Sequence, residues 1–366
     1  MRPSNLFFEY FPPPKSLLMP SVGLDISDRS IRFAELKSAN GHLELSRFGE
    51  RTLPEGIVVE GEIKNPRALK TELLRLEREF TLSFVRVALS EEQSYLVKIQ
   101  IPRVAKRELY STVELQLEEH VPLSPKDAIF DYSLITCGDE EARKKAHVHD
   151  VGLAVMQRKS VEEYVELFST TGIVPLSFEL EAHALARALL SPGDCKTYMI
   201  VDLGATRSSV SIISEGVVRF TATLRVGGNM LTEVIARKMR LDWETAKRYK
   251  ETRGLSHGNK EDALFSILEP TVSALRDEVQ RHYIYWHTHQ NIPVTGRREE
   301  AEILLCGGEA NVPGLPEYLS STMRMKVTLG NPWKNVASTE KYVPPISQNH
   351  ALRYVTAIGL ALRSHL

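Results

Sequence analysis

A strand–turn–strand unit whose first strand ends in aspartate occurs twice in this chain, and no other feature of the sequence restricts the fold so strongly. The first copy runs Val22-Gly23-Leu24-Asp25-Ile26-Ser27, turns at Asp28-Arg29-Ser30 and returns through Ile31 to Leu36. The second lies within Thr197 to Ile213 and carries Ile200-Val201-Asp202-Leu203-Gly204. Each copy is followed by a third strand candidate, His42 to Phe48 and Gly216 to Leu224. A repeat at about half the chain length predicts an internal duplication with a pseudo-twofold cleft between the copies.

An aspartate at a strand end is, by itself, as readily a turn cap as a ligand. Two of them in matching hairpins point elsewhere. Each carboxylate can hold water on a hard Mg²⁺ ion while the turn amides bond phosphate oxygens, so facing hairpins clamp phosphates from both sides. A third element, Ile303-Leu304-Leu305-Cys306-Gly307-Gly308, ends a strand in two glycines and lets backbone approach a ligand closely.

The remainder of the chain is ordinary in composition. Its 366 residues exceed what one core usually serves, so two lobes are expected, and 42% hydrophobic with 25% charged residues fits a folded globular protein. A net charge of −1 offers no reach toward nucleic acid or an anionic membrane. The runs Arg143-Lys144-Lys145 and Arg297-Arg298 read as solvated loops. Cys137, Cys195 and Cys306 are odd in number, far apart and without a Cys-x-x-Cys, so no disulfide framework or zinc site is expected and a reducing compartment fits. No apolar run nears the ~20 residues of a membrane-spanning helix, and the apolar start lacks the basic lead of a secretory signal. His147, His149 and Asp150 sit on a strand that puts the two histidines on one face, whereas His282, His287 and His289 lie in or near a helix without converging. Both groups read as ordinary solvated or partly buried histidines.

The periodicity predicts helices at Pro66 to Phe80, Ala105 to His120, Val161 to Thr171, Glu181 to Leu190, Gly228 to Met239, Trp243 to Thr252, Glu261 to His289 and Ala351 to Ser364. Further strands are expected at Val85 to Leu89, Tyr95 to Ile101, Ile129 to Ile135, His147 to Val155 and Glu302 to Leu305. Residues 1–20 form an aromatic and proline-rich tail that either packs on its own domain or engages a partner.

The three motifs resemble the phosphate-1, phosphate-2 and adenosine segments of the actin, heat-shock chaperone and sugar kinase superfamily. The alanine-rich helix from Glu181 and the last helix, with Ala357, Gly359 and Ala361, match its two connecting helices. Within it the order of parts is similar to the branch containing FtsA and PilM, with PilM the closer match. The segments that carry this are Phe33-Ala34-Glu35-Leu36, Leu115 to Leu123, Asp202-Leu203-Gly204-Ala205-Thr206, Gly227-Gly228-Asn229, Ala246 to Lys250 and Gly307 to Leu315. The resemblance implies an α/β actin-like (ribonuclease H-like) duplicated fold with two lobes around a nucleotide cleft and an inserted small α/β domain. It divides the chain into residues 21–95 as the first lobe and 96–178 as the insertion. Residues 179–366 then hold the connecting helices and the second lobe.

The same resemblance implies ATP and Mg²⁺ as ligands, with Asp25 and Asp202 at the metal through water. Ser27, Gly204, Ala205 and Thr206 would line the phosphates, Gly227, Gly228, Gly307 and Gly308 the phosphate and nucleoside side, and Lys250 the ribose. Glu181 stands where related ATPases orient the attacking water, although an acid opening a helix also suits the macrodipole. Ser27 replaces a common glycine and Lys247 a common glutamate, so slow hydrolysis at most is expected. The implied function is a cytoplasmic scaffold of type IV pilus assembly, peripheral to the inner membrane. It would bind the N-terminal segment of a PilN-like membrane protein beside other pilus components, without entering the membrane itself, and self-association stays open. The rival readings are an FtsA-like filament protein, for which the chain lacks a terminal amphipathic helix, and a small-molecule kinase, for which no acceptor-site signature is present.

Overall fold

The computed structural model describes residues 22–39, 41–138, 140–255, 263–289, 301–337 and 342–365. The tail at 1–20, the pair Arg297-Arg298 and the start of the helix expected from Glu261 lie outside these residues.

Two five-stranded sheets dominate. In the first, β1 (Val22–Ile26), β2 (Ser30–Ala39) and β3 (His42–Thr52) form an antiparallel meander. β6 (Phe84–Leu89) lies parallel to β1 and β10 (Val174–Leu180) parallel to β6, after a small β4 (Val58–Val59) and β5 (Glu62–Ile63) hairpin. The second sheet has the same plan. β11 (Tyr198–Leu203), β12 (Ser208–Ser214) and β13 (Val217–Leu224) make the meander, with β14 (Glu302–Cys306) and β15 (Val327–Leu329) parallel on the other side. Strand for strand the orders β10-β6-β1-β2-β3 and β15-β14-β11-β12-β13 coincide, so the fold is the duplicated actin-like one.

Between β6 and β10 the chain builds a third sheet of β7 (Ser94–Pro102), β8 (Ala128–Leu134) and β9 (Val148–Gln157), ordered β7-β9-β8. The helix Leu109–His120 lays Leu109, Val113 and Leu117 on Ile99, Ile101, Val151 and Leu153, a core separate from those of the large sheets. Alternating apolar residues on β7 and β9 meet the helical stripe there.

Two helices cross beneath the large sheets, Glu181–Leu189 and Val355–Leu362, the second buried on every side. Their approach depends on Gly359, where a Cβ would overlap the carbonyl of Ala184. The last helix differs from the single run expected over Ala351 to Ser364. A turn at Gln348–Ala351 and a 3₁₀ turn at Leu352–Tyr354 precede it. The carbonyl of Leu352 accepts from Gly307 N, 3.1 Å away, which ties that turn to the glycine pair of the second lobe.

Other expectations are corrected. Cys137 and Cys195 form a disulfide with Cα atoms 5.7 Å apart, leaving only Cys306 as a buried thiol. Spacing along the sequence hid this pair, because the loop after β8 and the loop before β11 meet only when the third sheet packs on the second lobe. His147 has a φ of +52° and precedes β9, so it does not share a strand face with His149. Arg143-Lys144-Lys145 ends the short helix Glu140–Lys145 instead of a loop. Among the described residues no helix is long and apolar enough to cross a membrane.

Candidate functional site

The cleft lies where the two meanders face each other. β1 delivers Asp25, and the following turn closes through Ser27 N to Ser30 O at 2.9 Å, with the Ser27 hydroxyl donating to the same carbonyl. β11 delivers Asp202, and the next turn closes through Gly204 N to Arg207 O at 3.1 Å. The backbone N–H groups of Gly228 and Asn229 then bond the carbonyls of Gly204 and Ala205, fixing the second phosphate-type turn against the helix Gly228–Met239. Gly307, at φ +90°, sits where a side chain would collide with the Asp202 carboxylate, so only glycine lets β14 end here.

A cavity of about 250 Å³ is lined by Asp25, Ser27, Glu181, Asp202, Gly204, Ala205, Thr206, Gly307 and Gly308. Gly227, Gly228 and Lys250 stand behind this wall. Lys250 is 1% exposed, its ammonium 2.5 Å from Glu309 Oε2 and 3.1 Å from the Gly228 carbonyl. The helix Trp243–Thr252 presents Lys247 and Glu251 to the cleft instead.

Burial pushes the Asp25 carboxyl up to about 6, opposed by Arg32 and reinforced by Asp202 and Glu50. Asp202 is raised by the same burial, against Arg32 and Arg207. Glu181 is raised well above the carboxylate range by burial and by the nearby charges of Glu91, Asp25 and Asp202. Such a cleft disfavours accumulated negative charge and so calls for a cation.

Glu91, which the sequence reading passed over, belongs to this group. It follows β6, accepts a hydrogen bond from Ala182 N at the head of the helix Glu181–Leu189, and is pushed up to about 7 by burial. A related signal was present: an acid two residues past the apolar end of β6, near the strand-end position that singled out Asp25 and Asp202. Among the described residues no three His, Cys, Asp or Glu side chains converge closely enough to chelate an ion directly.

A second cavity, about 580 Å³, opens between the third sheet and the second lobe. Its walls include Phe130, Leu134, Met156, Phe178, Leu190 and Val218. One side is β8, which pairs only with β9 among the described residues. At the floor Glu179 is held by two 2.7 Å bonds from Arg187 and one of 2.8 Å from Arg363. The disulfide lies beside its rim, next to Asp194.

A family model described as type IV pilus assembly protein PilM matches residues 23–365. The cell division protein FtsA of Pseudomonas aeruginosa is 25% identical over 62% of this chain, which spans 55% of that protein's length. FtsA of Neisseria meningitidis serogroup B is 22% identical over 72% of this chain and 68% of its own. Among solved structures, a PilM-PilN type IV pilus biogenesis complex superposes with a TM-score of 0.74 at 23% identity. That match covers 95% of this chain and 99% of the other. MreB 5 of Spiroplasma citri bound to AMPPNP follows the same fold, with a TM-score of 0.55 at 12% identity over 93% of this chain and 94% of its own.

Proposed function

The chain belongs to the PilM family of type IV pilus assembly proteins, and on that premise we propose that it is an ATP-binding scaffold docking a partner's extended segment beside β8. The observation that carries this is the convergence of Asp25 and Asp202, from matching strands of two sheets, on one cleft. The residues fit a magnesium nucleotide: the carboxyls of Asp25 and Asp202 would hold the ion's water, and Gly204, Ala205 and Gly308 would leave room for phosphate and nucleoside. Magnesium supplies the positive charge that lets polyphosphate lie among raised carboxyls. Burial and the neighbouring charges of Glu91, Asp25 and Asp202 favour the neutral carboxyl of Glu181, the form that cannot take a proton from an attacking water, which favours slow hydrolysis at most.

The groove suits an extended peptide, because β8 offers an edge that is unpaired among the described residues for backbone hydrogen bonds, while Phe130, Leu134 and Val218 receive apolar side chains. A similar protein is solved as a complex with PilN, so the segment expected here is the N-terminal one of a PilN-like membrane protein. That attachment would keep the chain at the cytoplasmic face of the inner membrane, with other pilus components. Calorimetry tests both halves. Mg-ATP should bind the native chain and not Asp202→Asn, and the peptide should bind about tenfold more weakly to Leu134→Arg. Absence of both heats from well-folded native protein would defeat the reading.

A further inference from the structure

The first phosphate-type turn contains an acid of its own. Asp28 is 12% exposed in its side chain and is surrounded by donors from two other segments, 60–61 and 206–207. Its Oδ1 accepts from Gly61 N at 3.2 Å and lies 3.5 Å from Arg207 Nη2. Its Oδ2 accepts from the Thr206 hydroxyl at 3.3 Å and from Glu60 N at 3.4 Å. A guanidinium, a hydroxyl and two backbone amides around one point are the donor set of a phosphate site, yet the anion they hold is the chain's own carboxylate. Arg207 is engaged on its other side as well, with Nη1 2.5 Å from Glu92 Oε1.

The position matters as much as the partners. Asp28, Thr206 and Arg207 line both the phosphate cleft and an adjoining cavity of about 690 Å³, so they stand at the boundary where the cleft opens into it. A nucleotide entering from the Gly308 side would point its last phosphate at this boundary. The inner phosphates would meet Gly204 and Ala205, which carry no polar side-chain atom to compete with them.

We propose that Asp28 is a specificity-determining residue that occupies the terminal-phosphate subsite, so that the cleft retains a nucleoside diphosphate in preference to a triphosphate. This rests on the nucleotide reading above and refines it. A third phosphate would have to displace the carboxylate from Thr206 and Arg207 and then lie next to it, like charge against like charge. A diphosphate would leave that arrangement standing. The link between the lobes, Asp28 from one and Thr206 with Arg207 from the other, would then persist with diphosphate bound and break with triphosphate.

The test is calorimetry in excess Mg²⁺ with ADP and with the non-hydrolysable AMPPNP. The native chain, Asp28→Asn and Asp28→Ser are compared, each first verified as folded by its melting curve. The native chain should prefer ADP by about tenfold or more, and either folded variant should narrow the gap chiefly by binding AMPPNP more tightly. Equal native affinities, or a preference for AMPPNP, would overturn the proposal and leave nucleotide binding intact. A native preference that survives in a folded variant would remove Asp28 from the role. Failure of the native chain to bind either ligand would defeat the underlying nucleotide reading, and the proposal with it.

Discussion

Lys250 offers the sharpest test of how the second lobe is held together. Its ammonium is 1% exposed and has two acceptors, Glu309 Oε2 at 2.5 Å and the Gly228 carbonyl at 3.1 Å. Lys250→Met keeps most of the aliphatic stem, so little packing is lost and the change isolates the charge. Breaking a buried pair by removing one partner costs roughly 3–5 kcal/mol, because the other charge is stranded. Glu309 is 18% exposed and recovers part of its hydration, which brings the expected cost to about 2–4 kcal/mol. Neutralising the stranded acid in Lys250→Met/Glu309→Gln should return about half of that. Urea unfolding followed by circular dichroism gives both numbers. A cost below about 1 kcal/mol for the single variant would refute the buried-pair reasoning. Unchanged stability with a large loss of nucleotide affinity would instead mean that Lys250 serves the ribose.

Three further outcomes are expected. Glu91 carries a folded value of about 7 against 4.5 when free, so the native state binds more protons in that interval. Its stabilising proton is fully present below about pH 4 and lost as pH rises through about 7, so the melting temperature of Glu91→Gln should gain on the native chain from about pH 4.5 to 8. A difference that stays flat or runs the other way would contradict this. Gly359→Ala should destabilise by about 1–3 kcal/mol, since the collision with the Ala184 carbonyl outweighs the helix propensity gained, and a raised denaturation midpoint would sink the close-packing account. Cys137→Ser opens a crosslink of sequence separation 58, for which chain entropy predicts a loss of about 4 kcal/mol. Thiol titration of unreduced, unfolded protein should find only Cys306, and three reactive thiols would rule the bond out.

What the sequence made legible was whatever a local rule governs. The β1–β2 and β11–β12 hairpins, their terminal aspartates and the helices Pro66–Phe80, Gly228–Met239 and Trp243–Thr252 could be read from alternation, turns and caps. β10 escaped notice because Pro175 and a register shift interrupt its alternation, and because Val174 and Leu176 stay exposed on an outer strand. β15 has three residues, too few for any period to register. The disulfide escaped for another reason, since its partners are brought together only by the docking of one sheet on another lobe.

The same division runs through the cleft. Strand-end acids are a one-segment signal, which is why Asp25 and Asp202 could be named and why Glu91 could have been. Lys250 could be placed on its helix by sequence, but whether it faces the ligand or an internal acid depends on Glu309, which arrives from the far side of β14. Asp28 is the extreme case. Along the chain it is a polar residue in a tight turn, the bland choice for such a position. Its partners Gly61, Thr206 and Arg207 come from a hairpin in its own lobe and a turn in the other. Only when the lobes meet does a turn residue become an anion seated among phosphate donors, so the feature that would set ligand preference is the one no local rule can supply.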